Sequence, residues 1–234
     1  MATYDLSRAE LKSKLTEFDA DTRDSILKAL RDSFGNGPYH VQLYDDPNVT
    51  ATADGNTQAI LVNTQEDVNL TVNGDNNVVI GTGFGNDTIN VNGDGADTVF
   101  SGAGDDTIHH FGSGPSVLDG GAGKDILNGG AGKDSFIFST ALLRTNVDRV
   151  GDFNHAQDTI RLDNAVFTGL SGGALPPSAF VLGTRATDPE DRIIYNRATG
   201  NLYFDADGAD GAAAVRFAVI VNKAALDASD FFVV

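Results

Sequence analysis

Between Gly120 and Ile137 the chain reads GGAGKDILN and then GGAGKDSFI, nine residues written twice with no spacer. No other feature restricts the fold as much. Glycines at alternate positions let the backbone take positive φ and curl with its carbonyl oxygens turned to one side. The residues after each aspartate form a short strand whose central, apolar side chain points inward. Each nonapeptide is then a loop and a strand, and two of them close one coil.

Aligned on the aspartate and the apolar residue two places on, the pattern extends over residues 73–81 (NGDNNVVIG), 82–90 (TGFGNDTIN), 92–100 (NGDGADTVF), 101–109 (SGAGDDTIH), 111–119 (FGSGPSVLD), 120–128 and 129–137, with Val91 and His110 inserted. Its apolar position is filled every time, by Ile80, Ile89, Val99, Ile108, Leu118, Leu127 and Phe136. A flexible linker has no reason to keep that regularity.

A loop that presents carbonyls and one carboxylate suits a hard cation, which takes six to eight oxygens at about 2.3–2.6 Å. The candidate ligands are Thr82, Gly83, Gly85 and Asp87; Asn92, Gly93, Gly95 and Asp97; Ser101, Gly102, Gly104 and Asp106; Gly120, Gly121, Gly123 and Asp125; and Gly129, Gly130, Gly132 and Asp134. One loop supplies only about half a shell, so stacked loops must share each ion. Loops on one side are every second window, which stacks Asp87, Asp106 and Asp125 in a first row and Asp97, Ser116 and Asp134 in a second. Ser116, beside Pro115, takes a carboxylate out of the second row. Full sites are therefore expected at the Asp87/Asp106 and Asp106/Asp125 pairs, with weak or absent ones opposite. Val78 stands at the aspartate position of residues 73–81, a coil with no ion of its own.

The repeat resembles the GGxGxDxUx nonapeptide of RTX, or hemolysin-type, calcium-binding proteins. That resemblance implies a mainly β fold: a parallel β-roll (right-handed β-helix) holding Ca2+ in two rows. DRVGDFNHAQDTIRL (148–162) and IIYNRATGNLYFDADG (193–208) resemble segments that close the roll in secreted RTX proteins, including the C-terminal domain of serralysin-type proteases. The terminal DFFVV is similar to the uncleaved signal read by type I secretion systems. The resemblance implies a chain that stays unfolded where calcium is scarce and takes its folding energy from calcium outside the cell.

Residues 5–34 read as two helices. Leu11, Leu15 and Phe18 form one apolar stripe, and Ile26, Leu27, Leu30 and Phe34 form a second after Asp21. Ser7 and Glu10 make a capping box, and GNGP at Gly35–Pro38 ends the run. Two readings of these helices stand: a hairpin packed on the rest of the chain, or an element that binds a partner or a membrane surface, which Asp19, Asp21, Asp24 and Asp32 disfavour by weakening any basic face. The organisation expected is an N-terminal helical segment at 1–47, the roll with its repeats at 48–138, and a β-rich C-terminal cap with the secretion signal at 139–234.

A net charge of −17 makes nucleic acid and anionic membranes poor partners and cations good ones. The absence of cysteine excludes disulfides and thiolate chemistry. No apolar run is long enough to cross a bilayer, and the N-terminus lacks the basic start and apolar run of a secretory leader. None of His40, His109, His110 and His155 lies in HExxH, and Gly169–Gly173 matches GxSxG without the helix a nucleophile elbow requires. Asp205-Ala206-Asp207-Gly208 begins like an EF-hand, but Arg216 stands where the bidentate Glu belongs. Those aspartates, with Asp148, Asp152 and Asp158, are surface turns or accessory calcium ligands. The adjacent His109 and His110 are a transition-metal pair or a kinked edge of the roll.

The expected protein is secreted, non-enzymatic and extracellular, folding on Ca2+ and acting in matrix or biofilm assembly, adhesion or partner binding. Its expected partners are calcium, the type I secretion machinery, and an extracellular polysaccharide or protein. A second reading is an accessory or carbohydrate-binding module attached to an extracellular enzyme. A third gives the function to residues 1–70, with the roll as export device.

Overall fold

The computed structural model describes residues 2–209 and 211–234. Its elements are β1 (Ala2–Leu6), α1 (Arg8–Lys14), α2 (Ala20–Phe34), β2 (Tyr39–Tyr44), β3 (Asn48–Thr52), β4 (Ala59–Val62), β5 (Asn69–Asn73), β6 (Val79–Gly81), β7 (Thr88–Asn92), β8 (Asp97–Phe100), β9 (Thr107–His110), β10 (Ser116–Asp119), β11 (Ile126–Asn128), β12 (Ser135–Phe138), β13 (Asp148–Val150), β14 (Thr159–Leu162), β15 (Gly173–Ala174), β16 (Phe180–Leu182), β17 (Ile193–Asn196), β18 (Asn201–Phe204), β19 (Val215–Ile220) and β20 (Phe231–Val233).

From β2 to β14 the chain alternates strictly between two sheets. Even-numbered strands pair in parallel in sheet A and odd-numbered ones, from β3, in sheet B, so every second strand is a neighbour. This is a parallel β-roll. Alternating side chains point in and stack by register. Sheet A contributes Ile60, Ile80, Val99, Leu118, Phe136, Ile160 and Phe231. Sheet B contributes Val49, Leu70, Ile89, Ile108, Leu127, Val150 and Ile220. The seven apolar positions of the repeat are all 0% exposed, each contributing about 1.5–3 kcal/mol of burial.

The outer face of sheet A is covered near its N-terminal end. Leu11, Leu15, Phe18, Ile26, Leu27 and Leu30 of the helical segment pack on Val41, Leu61, Val79 and Phe100. That is why β4 is buried on both faces. Ser7 caps α1 as the sequence suggests, with Ser7 N donating to Glu10 Oε2 at 2.9 Å and Glu10 N to Ser7 Oγ at 3.3 Å. The second helix begins at Ala20 instead of after Asp21, because Asp19 Oδ1 accepts from Asp21 N and Thr22 N, both at 2.9 Å.

Two boundaries differ from the sequence reading. The 1–47 segment is not wholly helical: β1 lies antiparallel on β2, which is already parallel to β4, so the roll starts at Tyr39. Alternation in YHVQLY, directly after the GNGP stop, is the strand signal. Past residue 138, β13 and β14 continue both sheets, and one apolar core runs from Tyr44 to Val233.

Candidate metal centre

The loops that join sheet A to sheet B line one side of the roll, and those that return line the other. On the first side Asp87, Asp106 and Asp125 are at most 1% exposed and recur every 19 residues. Each carboxylate holds the turn before it: Val68 N donates to Asp87 Oδ1 at 2.8 Å, Asp87 N to Asp106 Oδ1 at 2.7 Å, and Asp106 N to Asp125 Oδ1 at 2.9 Å. Asp148 extends the row, accepting from Asp125 N at 3.1 Å. On the second side Asp97 Oδ1 accepts from Val78 N at 3.0 Å, and Asp134 Oδ1 from Ser116 N at 2.7 Å and Ser116 Oγ at 2.9 Å. Asp158 continues that row, accepting from Asp134 N at 3.0 Å.

These bonds use one oxygen of each carboxylate. Oδ2 of Asp87, Asp106, Asp125 and Asp134 is buried without any hydrogen-bond partner, an arrangement native proteins avoid unless something else binds there. Burial pushes the Asp87 carboxyl up to about 7 and the Asp106 carboxyl up to about 6. Asp125 and Asp148 are both raised, by burial first, with repulsion between them adding at Asp125. Burial also raises Asp134 and takes Asp158 to about 6. A cation between the turns would favour the charged carboxylates and so oppose every one of these shifts.

The glycines bring the loop backbones close together. Gly104 and Gly123 take φ of 145° and 151°, and a Cβ on either would collide with the carbonyl oxygen of the glycine one turn before, Gly85 or Gly104. Among the described residues no three His, Cys, Asp or Glu side chains converge on one point. A bound ion would therefore draw most of its shell from backbone carbonyls, with carboxylates from successive turns. Oxygen-only donors of this kind fit a hard cation such as calcium and do not suit zinc or copper.

A family model described as the RTX calcium-binding nonapeptide repeat matches residues 71–108 and 112–136, in a form of four copies. This part of the roll is made of RTX repeats. A search of curated proteins finds no match. RTX repeats of this type bind calcium, so the stacked, half-satisfied carboxylates meet the cofactor that the family model implies.

The candidate ligands occupy these RTX loops unevenly. Thr82 Oγ1 donates to Ser101 O and Ser101 Oγ to Gly120 O, both at 3.0 Å, so the first loop positions also stitch turns together. The Asn92 side chain points outward, donating to Asn73 Oδ1 at 3.0 Å, away from the row. Outside the first carboxylate row runs a second ladder that the sequence reading missed. Asn86 N donates to Asp67 Oδ1 at 2.7 Å, Asp105 N to Asn86 Oδ1 at 2.8 Å, and Lys124 N to Asp105 Oδ1 at 2.9 Å. The recurrence of Asp or Asn directly before the row aspartate was its signal. Asp152 accepts from Gly129 N at 3.0 Å and Gly130 N at 2.9 Å, capping the last loop.

The remaining candidates separate. Asp205 Oδ1 accepts from Asp207 N at 3.3 Å and Gly208 N at 3.0 Å, a local turn. Ser171 is followed by strand β15, not a helix. His109 faces outward, with Nδ1 3.1 Å from Asn128 Nδ2, while His110 is buried in the roll, so the pair does not converge on a shared metal. Burial works against a charge on His110, but the hydrogen bond to Asp97 and its negative charge outweigh this and hold the pKa above the ordinary value.

Proposed function

We propose that this chain is a non-enzymatic extracellular protein whose roll folds when calcium enters the first carboxylate row. The observation that carries the reading is the stack of buried aspartates with one unpartnered oxygen each. Asp87, Asp106 and Asp125 supply the charged ligands, and the glycine-rich loops 82–87, 101–106 and 120–125 supply carbonyls, aided by the loops of the second side. Calcium neutralises a row that otherwise repels itself, so ordering of the coils and ion binding become one event. Type I export of the unfolded chain, with DFFVV as its signal and a serralysin-like closure of the roll at its C-terminal side, follows from this reading. So does a role in matrix or biofilm assembly, adhesion, or binding of a polysaccharide or protein partner.

One observation favours the second reading, an accessory carbohydrate-binding module. Phe111 is 63% exposed and stacks on His109 with ring centroids 5.5 Å apart, a platform of the kind sugars pack on.

The deciding experiment is a calcium titration of the chelator-stripped protein, followed by circular dichroism and calorimetry and compared with Asp106→Ala. A cooperative gain of β signal in the wild type, with affinity at least about tenfold weaker in Asp106→Ala (about 1.4 kcal/mol), supports the proposal. A chain fully folded in chelator and indifferent to calcium refutes it. Glycan binding abolished by Phe111→Ala would establish the second reading.

A further inference from the structure

The two rows differ at Ser116 and at the second oxygen of Asp97. In the first row Oδ2 of Asp87, Asp106 and Asp125 has no partner. Asp97 holds the turn before it in the same way, through Oδ1, but its Oδ2 lies 3.3 Å from His110 Nε2. A carboxylate only accepts, so Nε2 is the donor. The atom that the first row offers to an ion is, at Asp97, already taken by a side chain.

We infer that the His110 imidazole occupies the cation position of the second row beside Asp97, so that the roll folds there without a calcium ion. The inference rests on the reading that the first row binds calcium. Three further observations support it. The His110 side chain is 0% exposed, enclosed in the roll. Its ring lies close over the next loop: a Cβ added to Gly112 would stand 3.0 Å from His110 Cε1. The carboxylate that would complete an ion site with Asp97 is missing at the same place, since Ser116 is the register partner of Asp97 and turns both its N–H and its hydroxyl to Asp134.

The sequence accounts for how the ring gets there. His110 is an inserted residue between two nonapeptides, paired in register with the inserted Val91 of β7. Both are buried, but the longer imidazole reaches the carboxylate, and Val91 stays in the apolar core. Loss of the aspartate and arrival of the histidine thus leave the roll closed without an ion. Asp134, one turn on, keeps its free Oδ2, so the substitution is confined to one level.

The test counts ions on the full-length, calcium-saturated protein by native mass spectrometry and locates them by terbium anomalous diffraction. The variants are His110→Ala, Ser116→Asp and the double variant. The expected outcome is terbium along the first row and none beside Asp97 in the wild type, no added ion in Ser116→Asp, and one added ion per chain in the double variant. An ion beside Asp97 in the wild type with the imidazole swung aside, an added ion in Ser116→Asp alone, or no gain in the double variant would each overturn the proposal. If the double variant does not fold, the wild-type terbium map decides. Absence of terbium from both rows would instead count against calcium binding by the first row.

Discussion

Each row aspartate performs two tasks with two oxygens, and the glycines around it make both geometries available. One oxygen accepts the backbone N–H of the turn before, and at Asp87, Asp106, Asp125 and Asp134 the other has no partner in the protein and is open to a cation. Asp87, Asp106 and Asp125 were readable because the GxGxD spacing surrounds them. Asp148 and Asp158 extend the rows without that loop, and the reading placed them only among accessory candidates. What remained was the Asp-x-apolar triplet, in Asp148-Arg149-Val150 and Asp158-Thr159-Ile160, a signal too short to stand without the coil around it. The glycine requirement is testable at Gly123. Its φ of 151° and the approach of the Gly104 carbonyl leave no room for a side chain. Gly123→Ala should lose about 1–3 kcal/mol from backbone conformation alone, measured by urea denaturation in saturating calcium. Lys124→Ala, on an exposed side chain next to it, should stay within about 0.5 kcal/mol of the wild type.

The strands of the roll are three to six residues long, too short to be stable alone, and each depends on the strands one turn away. The inward ladders supply that dependence. Leu127 sits between Ile108 and Val150 and is 0% exposed, so Leu127→Ala should cost about 2–5 kcal/mol. Leu27 on α2 is equally buried, but against the outer face of sheet A. Leu27→Ala should cost a similar amount in thermal or urea unfolding with the calcium stoichiometry unchanged, since Leu27 packs in the apolar cluster on sheet A and not on the carboxylates of the loops. A loss of ions in Leu27→Ala would show that the helices act on the loops as well as on the sheet. The helical stripes and the Ser7 cap were legible from local periodicity. β1 was not: Ala2–Leu6 becomes a strand because β2 lies beside it, and a five-residue pattern at a terminus carries no record of that neighbour.

The whole molecule carries a net charge of −17, and most of its buried aspartates stand in the two rows along the roll. In the calcium-free folded chain Asp87 and Asp106 titrate near 7 and 6, against about 4 when unfolded. Between those values the folded state binds more protons than the unfolded one. Their contribution to apo stability is therefore complete below about pH 4 and lost as the pH rises through 6 to 7. In chelator, the urea midpoint should fall between pH 5 and pH 8. In saturating calcium the dependence should invert, because the ion requires the charged carboxylates, and binding near pH 6 should release protons detectable by calorimetry in buffers of different ionisation enthalpy. A calcium-free midpoint that rises with pH over this range would contradict the buried-row account. The roll, its two rows and the gap at Ser116 were legible in the letters, because a nonapeptide period writes local geometry and stacking into spacing alone. The folded coils were needed to see that Asp148 and Asp158 continue the rows, that the helices cover sheet A, and that His110 rather than solvent meets Asp97. Those contacts join residues whose separation follows no repeat, so they exist only once the coils are stacked.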